Sequence, residues 1–323
     1  MTTLTVGAGH RMTGLLCLIS AFVLNACGGG KTTSPATGGP TNPGGGGPTE
    51  QWATVSSRSW SMPAQSEGYE CHTQLVASDE YFTGFRLASP SAGQTELYLT
   101  TRTSVSTTGD FSCSFSDVTG GEAVYAADAG TTQVTFAGGK GVHVAAGQYL
   151  MLIVHVNNSS ATPIVNASTV VEGRVATAAA VTTPIDMFFA GKPALAIPTS
   201  ADSVDGNGSC EIGSELHVVA GITLMRSLGI HGRVTATIGA LNSVLFDGSF
   251  DPSHVLYSSL STDFDMPANS RVTVTCSFTN HTGAVVNIGE SAQDELCLGG
   301  IYRYPPKPPA SMSPFECLLG QTI

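Results

Sequence analysis

The chain has 323 residues, of which only 11% are charged, and it is rich in Gly, Thr, Ser and Val while runs of Leu, Glu and Lys are scarce; this disfavours charge-driven disorder and long helices. A net charge of −11, with 13 Lys and Arg scattered along the chain, argues against a nucleic-acid partner and against an acidic membrane surface, because both need clustered basic groups. The composition is that of an exported, all-β protein with enough chain for two hydrophobic cores.

The first expected element is an export signal. His10 and Arg11 precede an uncharged stretch over residues 12–26 that runs into Leu24, Asn25, Ala26 and Cys27. Its length and polarity match the n-region and h-region of a signal peptide, and it is too short for a stable transmembrane helix. Leu-Asn-Ala-Cys resembles a bacterial lipobox, which implies that residues 1–26 are removed and that Cys27 becomes the lipidated first residue. In residues 28–50, 13 of 23 positions are Gly or Pro. Such a segment buries too little apolar surface to order itself, and as a coil it spans on the order of 25 Å. Residues 27–50 therefore read as an anchor followed by a tether. Gly28, rather than Asp, follows the Cys, and the familiar sorting rule then places the protein in the cell envelope at the outer membrane. Contact with the membrane is expected through the lipid anchor only.

From Trp52 onward, period-two patterns bounded by Gly, Pro, Asn and Asp predict strands and turns. YLMLIVHV (149–156) is apolar on both faces and is expected to be buried on both. ATAAAVTTP (176–184) marks a domain boundary, giving one domain over 51–182 and another over 183–323, where PIDMFFAG begins a new series of strands. DSVDGNGSCE (202–211) carries Asp202, Asp205, Asn207 and Glu211 and reads as a solvated turn; Cys210 stands where a calcium loop of the EF-hand kind needs Gly. In GRVTATIG, Val234, Ala236 and Ile238 face inward. In SRVTVTCSFTN, Val272, Val274, Cys276 and Phe278 share one face, with Thr273, Thr275 and Ser277 on the other, as in a half-buried antiparallel strand.

Beyond Cys17 and Cys27, six cysteines remain: Cys71, Cys113, Cys210, Cys276, Cys297 and Cys317. An even number outside the cytoplasm implies disulfides, and no CxxC or Cys-His spacing supports zinc. If bridges stay within domains, Cys71 pairs with Cys113, and the pairing of the other four is open.

The stretch CSFTNHTGAVVNIGESAQDELCLGGIYRYP resembles the C-terminal signature of copper type II, ascorbate-dependent monooxygenases, the family of peptidylglycine alpha-hydroxylating and dopamine beta monooxygenases. SFDPSHVLYSSLSTDFDMPANSRVTVTC resembles the strands leading to it, and GQYLMLIVHVNN resembles the family's GxxLxLxVHYxN strand. The resemblance covers nearly all of 52–323. It implies two antiparallel jelly-roll β-sandwiches side by side with an open cleft between them, and bridges joining Cys210 to Cys317 and Cys276 to Cys297. It also implies one copper per domain, each held by three donors. The family's adjacent His pair falls on Thr95 and Glu96, and His155 matches the third ligand. The His-x-His falls on Ser227, Leu228 and Gly229, just ahead of His231 and Gly232, and the Met ligand is Leu296. His155 is thus the one ligand position that is matched.

Among the other histidines, a hairpin at AAGQ (145–148) would hold His143 roughly 16 Å from His155 along the strands, too far to share a metal. His231 lies two residues from a ligand position, while His72, His217, His254 and His281 read as surface or hydrogen-bonded groups. No Gly-x-Ser-x-Gly elbow or phosphate-cradling loop is present. Fold survives ligand loss better than this chemistry does. The expected function is therefore a degenerate, non-catalytic scaffold that binds an unidentified extracellular or periplasmic ligand, without a cofactor. The competing expectation is a copper-dependent, ascorbate-using monooxygenase, or a copper-binding relative, with a rearranged site.

Overall fold

Period-two alternation or an unbroken apolar run underlies the long strands of the computed structural model, which describes residues 51–131, 133–307, 316–319 and 323. The expected signal, Cys27 and tether lie outside the described residues. The first half forms β1 (Gln51–Met62), β2 (Ser66–Leu75), β3 (Glu80–Ser89), β4 (Gln94–Arg102), β5 (Gly109–Cys113), β6 (Glu122–Asp128), β7 (Gln133–Thr135), β8 (Lys140–Val144), β9 (Tyr149–Asn158) and β10 (Ile164–Ala176). The second half forms β11 (Thr183–Pro184), β12 (Asp186–Gly191), β13 (Ala196–Ile197), β14 (Ala201–Ile212), β15 (Leu216–Leu224), β16 (Gly229–Ile238), β17 (Leu241–Ser249), β18 (Ser258–Met266), β19 (Ser270–Asn280), β20 (Val286–Asn287) and β21 (Leu298–Tyr304).

These strands build an all-β architecture of sandwiched sheets. One sheet has the order β1-β10-β3-β8-β11, with β7 also on β3; another has four strands in the order β14-β19-β16-β17; a nine-stranded sheet runs β18-β15-β21-β12-β6-β4-β9-β2-β5. The pairs are antiparallel apart from β11 on β8. Strand β12 joins β6 through Met187 and Ala123, so strands from both halves of the sequence share one sheet.

That sheet serves two cores. Successive side chains on a strand point to opposite faces. Phe188, Val218 and Ile301 pack with Val234, Val272, Val274 and Phe278 of the four-stranded sheet. Their neighbours Phe189, Val219 and Tyr302 join the core that holds Phe85, Leu97, Tyr125 and Val171. Strands used on both faces must be apolar throughout, which is why DMFFAG and LGGIY show no alternation.

Strand β9 is buried on both faces from Leu150 to Val154, as its composition predicts. In β19, Val272, Val274, Cys276 and Phe278 are fully buried, while Ser277, Thr275 and Thr273 hydrogen-bond to Asp205, Asn207 and Ser209 of β14. That last set corrects the reading of residues 202–211. They are a strand, and the glycines at alternate positions disguised its buried face: a Cβ on Gly208 would lie 1.6 Å from the Gly191 carbonyl oxygen. Their polar side chains are spent on cross-strand partners rather than gathered as a loop of oxygen donors. A second correction concerns AAGQ. Strand β8 pairs with β3, whereas β9 pairs with β2 and β4, so residues 145–148 arch from one sheet to the other and close no hairpin.

Disulfides join Cys71 to Cys113, Cys210 to Cys317 and Cys276 to Cys297, the pairing that the resemblance implies. The first ties the edge strand β5 to β2; the third closes the loop between β19 and β21 that reaches the site described next.

Candidate functional site

Of the positions that the resemblance aligns with metal ligands, Thr95, Glu96 and His155 share one buried polar cluster, which Arg226, the neighbour of Ser227, enters from the other half. On β4, a register shift between Gln94 and Glu96 turns both Thr95 and Glu96 toward His155 of β9, since a bulge places two residues opposite one. Thr95 Oγ1 donates to the His155 carbonyl at 3.3 Å and lies 2.7 Å from His155 Nδ1. Glu96 Oε1 is 3.6 Å from the same nitrogen. The Tyr69 ring stacks on the imidazole with centroids 4.5 Å apart, and its hydroxyl donates to the Glu290 carbonyl at 3.1 Å. His155 is 1% exposed. Burial holds its pKa below the ordinary value, against the opposing pull of Glu96, and favours the neutral ring.

The opposite wall comes from the segment between β15 and β16. Arg226 Nη2 donates to Glu96 Oε1 at 2.9 Å, and Nη1 donates to the carbonyls of Ser291, Gly289 and Asp294 at 2.6, 3.1 and 3.2 Å. A loop thus wraps the guanidinium in carbonyl oxygens. Glu295, 1% exposed, accepts the backbone N–H groups of Leu228 and Arg226 at 2.7 and 2.8 Å. Burial raises its pKa above the ordinary carboxyl value while these bonds oppose the rise. Asp128 stands beside Glu96 across β4 and β6; burial first, and Glu96 second, push its carboxyl well above the usual range, and its Oδ2 has no hydrogen-bond partner among the described residues.

The residues at the ligand positions do not fit a copper centre. Glu96, whose carboxylate lies 3.6 Å from His155, is already paired with a permanent guanidinium cation. On the other side, Leu296 is 3% exposed and has no donor atom. Gly229 leaves no room for a ligating side chain, because a Cβ there would lie 2.6 Å from Met225 Cβ and 3.0 Å from Phe250. His231 sits on β16 with its Nε2 3.0 Å from Asp247 Oδ1, its side chain 42% exposed. Among the described residues, no three or more His, Cys, Asp and Glu side chains come together in a metal-holding arrangement.

His143 stacks on Tyr81 with centroids 4.6 Å apart and faces Asp79 at 3.6 Å, away from the cluster. His72 and His217 are hydrogen-bonded to Asp110 and Asp265 at 2.6 and 2.7 Å. His281 lies 3.7 Å from Asp202, and His254 lines a cavity of about 170 Å³ with Phe246, Asp247, Phe250 and Asp251. The groups of this cluster missed from sequence are Arg226, Glu295, Tyr69 and Asp128. Only Arg226 left a trace there: it is the lone charge in the run from Ile222 to Ile230.

No helix among the described residues is long and apolar enough to cross a membrane. No protein-family model and no curated protein sequence matches the chain. Among solved structures, it is similar to the T13 particle of infectious bursal disease virus, at 10% identity over 79% of this chain and 70% of that chain, with a TM-score of 0.21. It is also similar to the VP2 subviral particle of the same virus, at 8% identity over 79% and 71%, TM-score 0.19. A third is dimeric latent PorU from Porphyromonas gingivalis, at 8% identity over 74% of this chain and 24% of that chain, TM-score 0.17. Likeness at this level assigns no function.

Proposed function

We propose that the protein is a lipid-anchored binding module of the cell envelope, whose body resembles a copper type II monooxygenase and carries no copper chemistry. The observation that supports this reading is the Arg226 to Glu96 ion pair, 2.9 Å across, set among the positions aligned with ligands of both metals. A second cation beside a buried guanidinium would meet strong repulsion in a medium of low dielectric. His155 alone cannot fix a copper's geometry, and any copper it held would exchange readily. On this reading the sandwiches are a rigid display scaffold, and recognition belongs to their loops and cavities.

The test is to load the whole protein with Cu(II), desalt it against a weak competing chelator, and measure copper per chain together with ascorbate-dependent oxygen uptake. Near-zero copper with background uptake is the expected result. Retention of about two coppers per chain with ascorbate-driven turnover would overturn the reading in favour of a rearranged monooxygenase site. The anchor is tested separately by cell fractionation. Wild-type protein should sediment with the outer membrane and Cys27→Ser should not; a soluble wild type with its N-terminus elsewhere removes the anchor.

A further inference from the structure

A second polar feature lies where the two halves meet, apart from the Arg226 cluster. A cavity of about 180 Å³ is lined by Thr101, Glu122, Val124, Val142, Ile185 and Lys307, among others. Glu122 opens β6, and its Oε2 accepts a hydrogen bond from Thr101 Oγ1 at 3.3 Å. The basic groups around it are engaged elsewhere. Arg303 spends its guanidinium on Asp186, at 2.9 and 3.3 Å. Arg102 donates to the Asp117 carbonyl, Lys140 pairs with Asp263 at 3.1 Å, and His143 faces Asp79 at 3.6 Å. The ammonium of Lys307 is held below its ordinary pKa by burial and by Arg303, and Asp186 acts on it in the opposite direction. Glu122 is a sheltered carboxyl on which Asp186 acts more strongly than Arg303, and Val124, Val142 and Ile185 give the cavity apolar walls.

We propose that this cavity binds a small organic cation of the primary alkylammonium class, its ammonium on Glu122 and its chain against Val124, Val142 and Ile185. Arg303 and the Thr101 hydrogen bond oppose the burial of Glu122 and its repulsion with Asp186 but do not cancel them, and an ammonium placed on the carboxyl offsets the remainder. An ammonium has three donors to share between Glu122 and Thr101, whereas an anion would face two carboxylates. A cavity of this size suits a ligand of a few heavy atoms rather than a drug-sized one. Burial first, and Asp186 second, push the Glu122 pKa up to about 7, so a proton competes with the ligand and affinity rises with pH through that value. The proposal goes beyond the function above and does not depend on it: the copper measurement can succeed or fail without changing the outcome here.

The experiment is calorimetric titration of the whole protein with n-butylammonium chloride, with n-butanol and sodium n-butyrate as comparators, at about pH 8 and about pH 5.5. Saturable binding of n-butylammonium is expected at the higher pH, weakened about tenfold or more at the lower, with neither comparator competing. Glu122→Gln, which keeps the shape of the side chain, should lose about tenfold or more at the higher pH. Because the pH dependence is read on wild-type protein, the test stands even if the variant misfolds. Absence of saturable n-butylammonium binding, equal affinity in Glu122→Gln, equal affinity at the two pH values, or preference for n-butyrate would each overturn the proposal.

Discussion

Arg226 and Glu96 stand 130 residues apart in sequence, yet their side chains form a buried hydrogen-bonded ion pair at 2.9 Å. The pair joins the segment before β16 to β4, so it adds a charge link between the two halves to the apolar core that they share. A buried pair of this kind is costly to break from one side, because removing one partner strands the other's charge in a poorly solvated place.

Arg226→Met alone and Glu96→Gln alone should therefore each lower unfolding free energy by about 3–5 kcal/mol. The double replacement Arg226→Met with Glu96→Leu should cost clearly less than the two single costs combined, since no charge is then stranded. Urea unfolding of the variants checks this. Additive losses would mean that the pair is not coupled.

Restoring a ligand at Gly229 should fail for steric reasons. Gly229→His must push aside Met225 and Phe250, which stand 2.6 and 3.0 Å from the new Cβ, and overpacking of this kind costs about 1–3 kcal/mol. The measurement is copper retention and thermal unfolding on the same sample. A stable variant that gains copper would show that the second half keeps a latent site.

Peptide mapping without reductant should recover Cys71 with Cys113, Cys210 with Cys317, and Cys276 with Cys297. The third bridge spans 21 residues, and losing it through paired Ser replacements should cost roughly 3 kcal/mol in the chain-entropy model. It should also loosen the loop that cages Arg226. Hydrogen exchange at residues 289–295 reads that effect, and unchanged protection there would separate the bridge from the cage.

Glu122 should give the body an unusual pH response. Its folded pKa is raised from 4.5 to about 7, so between those values the folded chain holds the proton more tightly than the unfolded chain does. Its contribution to stability is therefore fully present below the lower value and is lost as pH rises toward about 7. Glu122→Gln removes that dependence. Thermal unfolding across this range should show the variant gaining on wild type as pH rises, and parallel profiles would remove Glu122 as the source.

The strands were legible because alternation is a local property: each residue in SRVTVTCSFTN shows its face through its neighbours alone. Strands apolar on both faces were legible as buried, but which two cores they serve was not. Where glycine filled the inward positions, as in DGNGS, the alternation had no apolar marker, and a strand read as a turn. An even count of cysteines implies disulfides, and the resemblance implies how the last four of them pair. The ligand positions lacking donors could be named from the sequence, since it shows that Leu296 has no donor atom and that Gly229 has no side chain. What surrounds the positions that the resemblance aligns with metal ligands was decided only by the tertiary structure. Arg226 meets Glu96 because the segment after β15 and the loop at 289–294 are brought against β4, and the Glu122 carboxyl is sheltered because residues 184–186 and 306–307 line one cavity with residues of β6 and β8. Burial and charge pairing are set by strand order and register between distant segments, and a linear pattern with period two carries no record of either.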